Sequence, residues 1–279
     1  MTTSVGRAMR LKRVIDPGGV SLICALDHGM TSPTFLEPLA GIATRTAEAV
    51  AGGANVIMMS KGMVRLAEPA FSPTTSLALL LSASANPADA QPEVVQVAQV
   101  EEALRLGADA VVLFTALGGE AEPRMIRTLA DVGRECAALG VPLIAEAEFP
   151  TTYALVEELK EQYGFEYLRR NVRLCAELGA DIVKTNWPGD EELFGRLVEA
   201  AAGIPLVLAG GSRLQDRELL ARMEAATAAG GIGCSVGRNI FMHRSPEAIT
   251  RALSRVIRER WTAAKAFDEL QEQGSEEPR

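Results

Sequence analysis

Apolar residues in this 279-residue chain come in short runs of strand length, and longer stretches with apolar positions at helical spacing separate them. The short runs fall at 20–26, 56–59, 77–82, 110–114, 143–145, 182–184, 206–209 and 231–236. The spacing predicts helices over 37–51, 99–106, 121–139, 165–178, 190–202, 214–228 and 246–270, the last opened by Ser245-Pro246-Glu247. Residues 62–75 are too short and proline-interrupted for a full helix. One junction recurs. Gly52-Gly53-Ala54-Asn55, Leu106-Gly107-Ala108-Asp109 and Leu178-Gly179-Ala180-Asp181 each end a helix and start a strand. Leu139-Gly140-Val141-Pro142 and Ala202-Gly203-Ile204-Pro205 are variants of it. A glycine that stops a helix, followed by a tight turn into a buried strand, is a βα repeat.

Eight such units give a parallel sheet, and eight close more naturally into a (β/α)8 barrel than into an open sheet. The open, doubly wound alternative would want G-x-G-x-x-G after the first strand, where this chain has Asp27-His28-Gly29-Met30. No linker or change of composition divides the chain, so residues 1–279 are expected to form one barrel domain. In this reading 1–19 is a polar, basic N-terminal extension closed by Asp16-Pro17-Gly18-Gly19, and 271–279 is a frayed tail.

Charge narrows the function. A net charge of −8 argues against nucleic acid or an anionic membrane as the main partner, so an anionic substrate would need a local positive field. The four cysteines (Cys24, Cys136, Cys175, Cys234) are scattered and read as small core residues in a reducing cytoplasm. The N-terminus lacks the apolar segment of a signal peptide, and the apolar runs stop short of a membrane span. Two histidines, His28 and His243, are too few for a multi-histidine metal site, while carboxylate sites stay open; no metal is needed for the chemistry expected below.

In a barrel the chemistry sits at the C-terminal ends of the strands. The run 182–184 ends in Lys184. Taken alone, this lysine reads as one snorkelling to water from a strand end. Inside a barrel, burial would disfavour its charge, lower its pKa and make the amine a nucleophile able to form a Schiff base. Asp27 ends the first strand, and by alternation Glu146 and Glu148 share a face after the fifth. Two glycine clusters, at Gly210-Gly211-Ser212 and Gly237-Arg238-Asn239, fall where barrels hold a phosphate between the last two loops. Glycine lets backbone N–H groups approach phosphate oxygens, so an acidic protein can still bind an anion.

Asp27-His28-Gly29, Val183-Lys184-Thr185 with Gly189-Asp190, Ala209-Gly210-Gly211-Ser212 and Gly237-Arg238-Asn239-Ile240-Phe241 resemble, in order over about 8–265, the class I aldolases of the archaeal fructose-bisphosphate aldolase type, within the DeoC/FbaB-like aldolases. The resemblance implies a (β/α)8 barrel, often in large rings. It implies that Lys184 forms a Schiff base with a phosphorylated ketone and that Asp27 assists proton transfer. The glycine clusters at the strand ends put the expected phosphate on Gly210, Gly211, Ser212, Gly237 and Arg238, and no cofactor is expected. His28, Lys61, Trp187 and Phe149 are expected around the substrate.

There is a departure. Much of the family carries Tyr-Pro-Arg-Gly at the end of the fifth strand, with the tyrosine as general acid/base. This chain reads Glu146-Ala147-Glu148-Phe149-Pro150-Thr151-Thr152-Tyr153. Phenylalanine cannot move a proton, so Glu148, Glu146 or Tyr153 is expected to replace the tyrosine; the other reading of the glutamates is a salt bridge at the barrel mouth with Lys61. The expected function is a biosynthetic condensation joining a phosphorylated ketone such as dihydroxyacetone phosphate to an aldehyde, aspartate semialdehyde or an aminodideoxyheptulosonate-type reaction among the possibilities. Fructose-bisphosphate cleavage, a thiolase-like phosphosugar enzyme and a non-catalytic phosphosugar-binding barrel are the alternatives. Small phosphorylated and aldehyde substrates, and further copies of the same chain, are the expected partners.

Overall fold

The strands are β1 (Ser21–Ala25), β2 (Val56–Met59), β3 (Ser76–Leu80), β4 (Ser82–Ala85), β5 (Glu93–Gln96), β6 (Ala110–Phe114), β7 (Leu143–Ala147), β8 (Ile182–Thr185), β9 (Leu206–Ala209) and β10 (Gly233–Val236) in a computed structural model that describes residues 4–85, 93–115, 117–150 and 156–276. Eight of them pair in parallel and close into a barrel in the order β1-β10-β9-β8-β7-β6-β3-β2. The helices between them are α2 (Ile42–Ala51), α3 (Val64–Ala67), α4 (Val100–Arg105), α5 (Glu122–Leu139), α6 (Val156–Glu177), α7 (Glu191–Ala200) and α8 (Asp216–Ala228), with α9 (Arg238–Phe241), α10 (Pro246–Glu259) and α11 (Ala263–Glu276) after β10. The chain is thus a (β/α)8 barrel. The glycines of all five recurrent junctions, Gly53, Gly107, Gly140, Gly179 and Gly203, have positive φ, a conformation other residues adopt at a cost.

Alternation sorts the strand residues into two cores. Ile23, Ala25, Val56, Met58, Ala78, Leu80, Val112, Ile144, Ile182 and Val207 fill the inside of the ring. Their neighbours Leu22, Cys24, Ile57, Leu79, Leu113, Val183 and Leu208 face outward into the core shared with the helices. The lower interior is therefore filled with apolar side chains, and the cavity described below is lined from the C-terminal rim.

Residues 1–19, expected as an extension, include the helix α1 (Val5–Val14) at the other end. Its Val14 is fully buried against the inner core. Arg7 Nε donates to Asp181 Oδ1 at 2.6 Å, Arg13 Nε donates to Asp109 Oδ1 at 2.6 Å, and the Val14 carbonyl accepts from Asn55 Nδ2 at 2.9 Å. Asp109, Asp181 and Asn55 are the last residues of the three Gly-Ala-Asp/Asn junctions. The repeat thus makes both the helix stops and the docking points for α1.

Three boundaries differ from the expected ones. The helix over 246–270 is two helices, broken where Arg260 takes a left-handed conformation with φ 56°. The break bears no glycine or proline; Trp261 N–H bonds back to Arg255 O to close α10. Residues 271–276, expected to fray, continue α11, and 277–279 lie outside the described residues. The run 77–82 is divided between β3 and β4, and β4 pairs antiparallel with β5 as a hairpin outside the ring. Among the described residues no helix is long and apolar enough to cross a membrane.

Candidate active site

β7 and β8 are neighbours, and their register places Glu146 beside Lys184. Ile144, Glu146 and Glu148 alternate onto the inner face of one strand, and Ile182, Lys184 and Asn186 onto that of the other. Below the rim these positions are apolar; at the rim they become charged. Lys184 is 7% exposed, and its Nζ lies 2.7 Å from Glu146 Oε1 and 2.7 Å from Glu148 Oε1. Asn186, also buried, accepts from the Phe149 N–H through Oδ1 at 2.7 Å and brings Nδ2 to 3.5 Å from Glu148 Oε2. It thereby anchors the strand end that carries Glu148. Asp27 enters after β1, with His28 Nδ1 3.2 Å from its Oδ1. The His28 ring is held edge-on by Phe35 and Phe241.

The cluster sets three carboxylates against Lys184 and Arg238. Burial disfavours the Lys184 ammonium, but Glu146, Glu148 and Asp27 outweigh burial and hold it above the usual lysine range. The lowered lysine pKa expected from burial is therefore corrected: the resting amine is held charged by its carboxylates. Burial pushes Glu146 up to about 7; Lys184 opposes the rise, while Glu148 and Asp27 add to it. Burial also raises Asp27, but His28 and Lys184 bring it below its ordinary value. Burial pulls Arg238 down, against Glu148 and Asp27.

The glycine loops complete one wall of the same cavity. Gly210 and Gly211 follow β9, and Gly237 and Arg238 lie where β10 passes into the short helix α9. A Cβ on Gly237 would stand 2.5 Å from His28 Cε1 and 2.7 Å from Ala25 O, so the backbone there has no room for a side chain. Asn239 ties the two loops together. Its Nδ2 donates to Gly210 O and Ser212 O, each at 3.0 Å, and its Oδ1 accepts from Leu214 N–H at 2.7 Å.

The structure brings Asp27, His28, Glu146, Glu148, Lys184, Gly210, Gly211, Gly237 and Arg238 around one cavity. Ser212 lies in the same loop but does not line the cavity. Lys61 does not reach it either. The Lys61 side chain is 45% exposed and pairs with Glu102 at 3.0 Å, so the glutamates' partner is Lys184 and not Lys61. Phe149 turns outward: its ring stacks on Tyr167, with centroids 6.0 Å apart, and is 2% exposed. Trp187 likewise stacks on Phe194 instead of lining the cavity. Tyr153 lies outside the described residues. Sequence reasoning missed Asn186, although alternation from Lys184 would have found it, and Ser82, Ser84 and Phe114, whose position depends on the unforeseen hairpin.

The chain was compared with known proteins. The family model described as DeoC/LacD family aldolase matches residues 21–243. Over 255 residues the chain is 34% identical to a 2-amino-3,7-dideoxy-D-threo-hept-6-ulosonate synthase from Halobacterium salinarum, covering 91% of this chain and 92% of that one. It is 32% identical over 268 residues to a 2-amino-4,5-dihydroxy-6-oxo-7-(phosphonooxy)heptanoate synthase from Streptomyces griseus, covering 93% of each. A structure of a Schiff-base-forming fructose-1,6-bisphosphate aldolase, from an analysis of its reaction intermediates, superposes with a TM-score of 0.78 at 26% identity, covering 90% of this chain and 99% of that one. The chain belongs to the DeoC/LacD family of aldolases.

Proposed function

We propose that this protein is a Schiff-base aldolase that joins a phosphorylated ketone to an aldehyde, running as a biosynthetic condensation. The observation that carries the reading is Lys184, a primary amine inside a closed barrel, hydrogen-bonded to Glu146 and sharing a cavity with glycine-rich loops. The relatives named as synthases support the condensing direction.

The phosphate of the ketone binds the backbone N–H groups of Gly211 and Gly237, with Arg238 beside it, while the Gly210 N–H is given to the Ser235 carbonyl at 3.1 Å and holds the loop in place. Lys184 gives a proton to Glu146 and adds to the carbonyl carbon. The addition product's nitrogen passes a proton to the new alkoxide by way of a carboxylate, such as Asp27 or Glu148, and Glu146 then returns the proton it took from Lys184 to the hydroxyl, which leaves as water as the iminium forms. The iminium draws electrons from the neighbouring carbon, a carboxylate takes that carbon's proton, and an enamine results. Its electron pair makes the new bond to the aldehyde carbon, the aldehyde oxygen takes a proton, and water hydrolyses the iminium to free the product. Because Phe149 faces away from the cavity, the proton transfers fall to these carboxylates.

Exchange of the ketone's α-hydrogen tests the reading. With dihydroxyacetone phosphate in deuterated water and no aldehyde, the protein should incorporate deuterium at the hydroxymethyl carbon, in chelator as well as without it. Lys184→Met should abolish the exchange. Exchange that survives the substitution, or that chelator removes, would refute the proposal.

A further inference from the structure

The cavity has a floor as well as a rim, and one polar group on that floor takes no part in the steps above. Side chains fill a closed barrel in layers drawn from alternate strands. The strand register puts Lys184 on β8, Ser235 on β10, Met58 on β2 and Val112 on β6 in one layer. Glu146, Ala209, Ala25 and Leu80 make the layer above it. Gly237 follows Ser235 on the inner face of β10. Ser235 therefore stands at the level of the Lys184 backbone, beneath a glycine and flanked by two alanines. Ser235, Ala209 and Gly237 all line the cavity.

Ser235 is 2% exposed, and its hydroxyl has no hydrogen-bond partner among the described residues. Ser21 and Ser76 share that state, but they do not border the cavity. A buried hydroxyl without a partner weighs against the free protein, and a ligand that bonds to it removes the penalty. The rest of its layer, Lys184 aside, is apolar.

The groups on the attacked carbon decide what meets this hydroxyl. Once the Lys184 amine has added, that carbon carries the nitrogen, the arm with the phosphate, a second carbon and the former carbonyl oxygen. The nitrogen comes from β8. The arm rises to Gly211 and Gly237. The second carbon must face the open mouth, where the aldehyde enters. The oxygen is left to point at the floor.

We infer that Ser235 donates a hydrogen bond to the ketone oxygen as Lys184 adds, and holds that oxygen until it leaves as water. The inference rests on the Schiff-base reading above and adds a residue that touches the reacting atoms. The electron pair of the carbonyl bond comes to rest on this oxygen, so a donor already in place stabilises the transition state more than the ketone. Ser235 keeps its own proton; the protons that turn the oxygen into water still arrive by way of the carboxylates. At the end of the cycle the same hydroxyl holds the water that hydrolyses the iminium. No tyrosine lines the cavity among the described residues, so no phenol competes for this role.

The test mixes full-length protein with saturating dihydroxyacetone phosphate and quenches with borohydride at intervals, reading the rate at which adduct appears on Lys184. Ser235→Ala should slow that rate at least about tenfold, and any smaller loss overturns the inference. Ser235→Cys keeps the shape but donates weakly, so it should be slowed at least about tenfold too; an unslowed Cys variant overturns the inference as well. Inorganic phosphate, titrated by calorimetry, should bind Ser235→Ala within about twofold of the unsubstituted protein, since the cradle lies a layer or more above. Weaker binding than that would assign the loss to the cradle and overturn the role at the oxygen. The Tm of Ser235→Ala should stay level or rise, because an unpaired buried hydroxyl is removed; a purely structural hydroxyl predicts a lower Tm with an unchanged rate. No adduct with the unsubstituted protein means that the Schiff-base reading fails. An adduct that forms as fast in Ser235→Ala means that only this narrower inference fails.

Discussion

Glu146 and Lys184 are register partners on adjacent strands, and their side chains meet inside the barrel with Oε1 and Nζ 2.7 Å apart. A buried pair of this kind is costly to build and persists where other groups support it. Here burial pushes Glu146 up to about 7, and the neighbouring carboxylates Glu148 and Asp27 add to the rise against the pull of Lys184.

The consequence is a pH dependence. Lys184 must lose a proton before it attacks, and Glu146 can accept it only while ionised. As pH falls through about 7, Glu146 fills with a proton and the reactive form disappears. We expect kcat/KM to fall toward about tenfold per pH unit on the acid side. Glu146→Gln should remove that limb and lower kcat/KM by about 100-fold or more. A limb that stays in place in Glu146→Gln would assign the titration to another group.

Asn239 touches the loops and not the open space, so its effect should fall on substrate binding. Asn239→Ala removes hydrogen bonds to Gly210, Ser212 and Leu214. KM for the phosphorylated ketone should rise about tenfold or more while kcat changes less. Leaving the loop carbonyls unpaired should cost roughly 2 kcal/mol, or about 4 to 8 °C in Tm. Calorimetry and steady-state kinetics check both. A fall in kcat at constant KM would contradict the positioning role.

Gly237 is where backbone, histidine and cradle crowd together. Gly237→Ala would put a methyl 2.5 Å from His28 Cε1 and 2.7 Å from the Ala25 carbonyl. The carbonyl belongs to a barrel strand and cannot yield, so the loop and His28 must move. Inorganic phosphate, titrated by calorimetry, should bind at least about tenfold more weakly to this variant. Unchanged phosphate binding would place the anion elsewhere.

Phe149 invites a repair that should fail. Phe149→Tyr restores the residue type that the family resemblance led us to expect there, yet the ring is packed with Tyr163 and Tyr167, away from the cavity. The new hydroxyl gains no access to substrate and must find a partner in the core, at a cost of about 1 to 3 kcal/mol. Activity should stay within about twofold of the unsubstituted protein or fall, and Tm should drop. A gain of tenfold in kcat would contradict the outward orientation.

The barrel was legible because its signals are local. A glycine ending a helix and an apolar run after it need no distant partner, and each of the eight runs became a barrel strand. Lys184, Asp27 and the glycine loops were legible for the same reason, since strand ends face the mouth by alternation alone. What stayed hidden depends on separation in sequence. Arg7 meets Asp181 across 174 residues, so α1 looked like a loose extension. The hairpin of β4 and β5 was not foreseen, because the run 77–82 looked like one strand ending at Ser82, and Glu93–Gln96 is no apolar run. The charge state of Lys184 followed from carboxylates on two other strands, and burial alone pointed the wrong way. Lys61 and Trp187 were misplaced because a residue just past a strand end can turn to solvent or to a helix as readily as to the cavity.

The central claim concerns one amine. Full-length protein incubated with dihydroxyacetone phosphate and sodium borohydride should gain the mass of one reduced ketone phosphate, and peptide mapping should find it on Lys184. An adduct on another lysine, or no adduct under conditions where α-hydrogen exchange proceeds, would contradict the account.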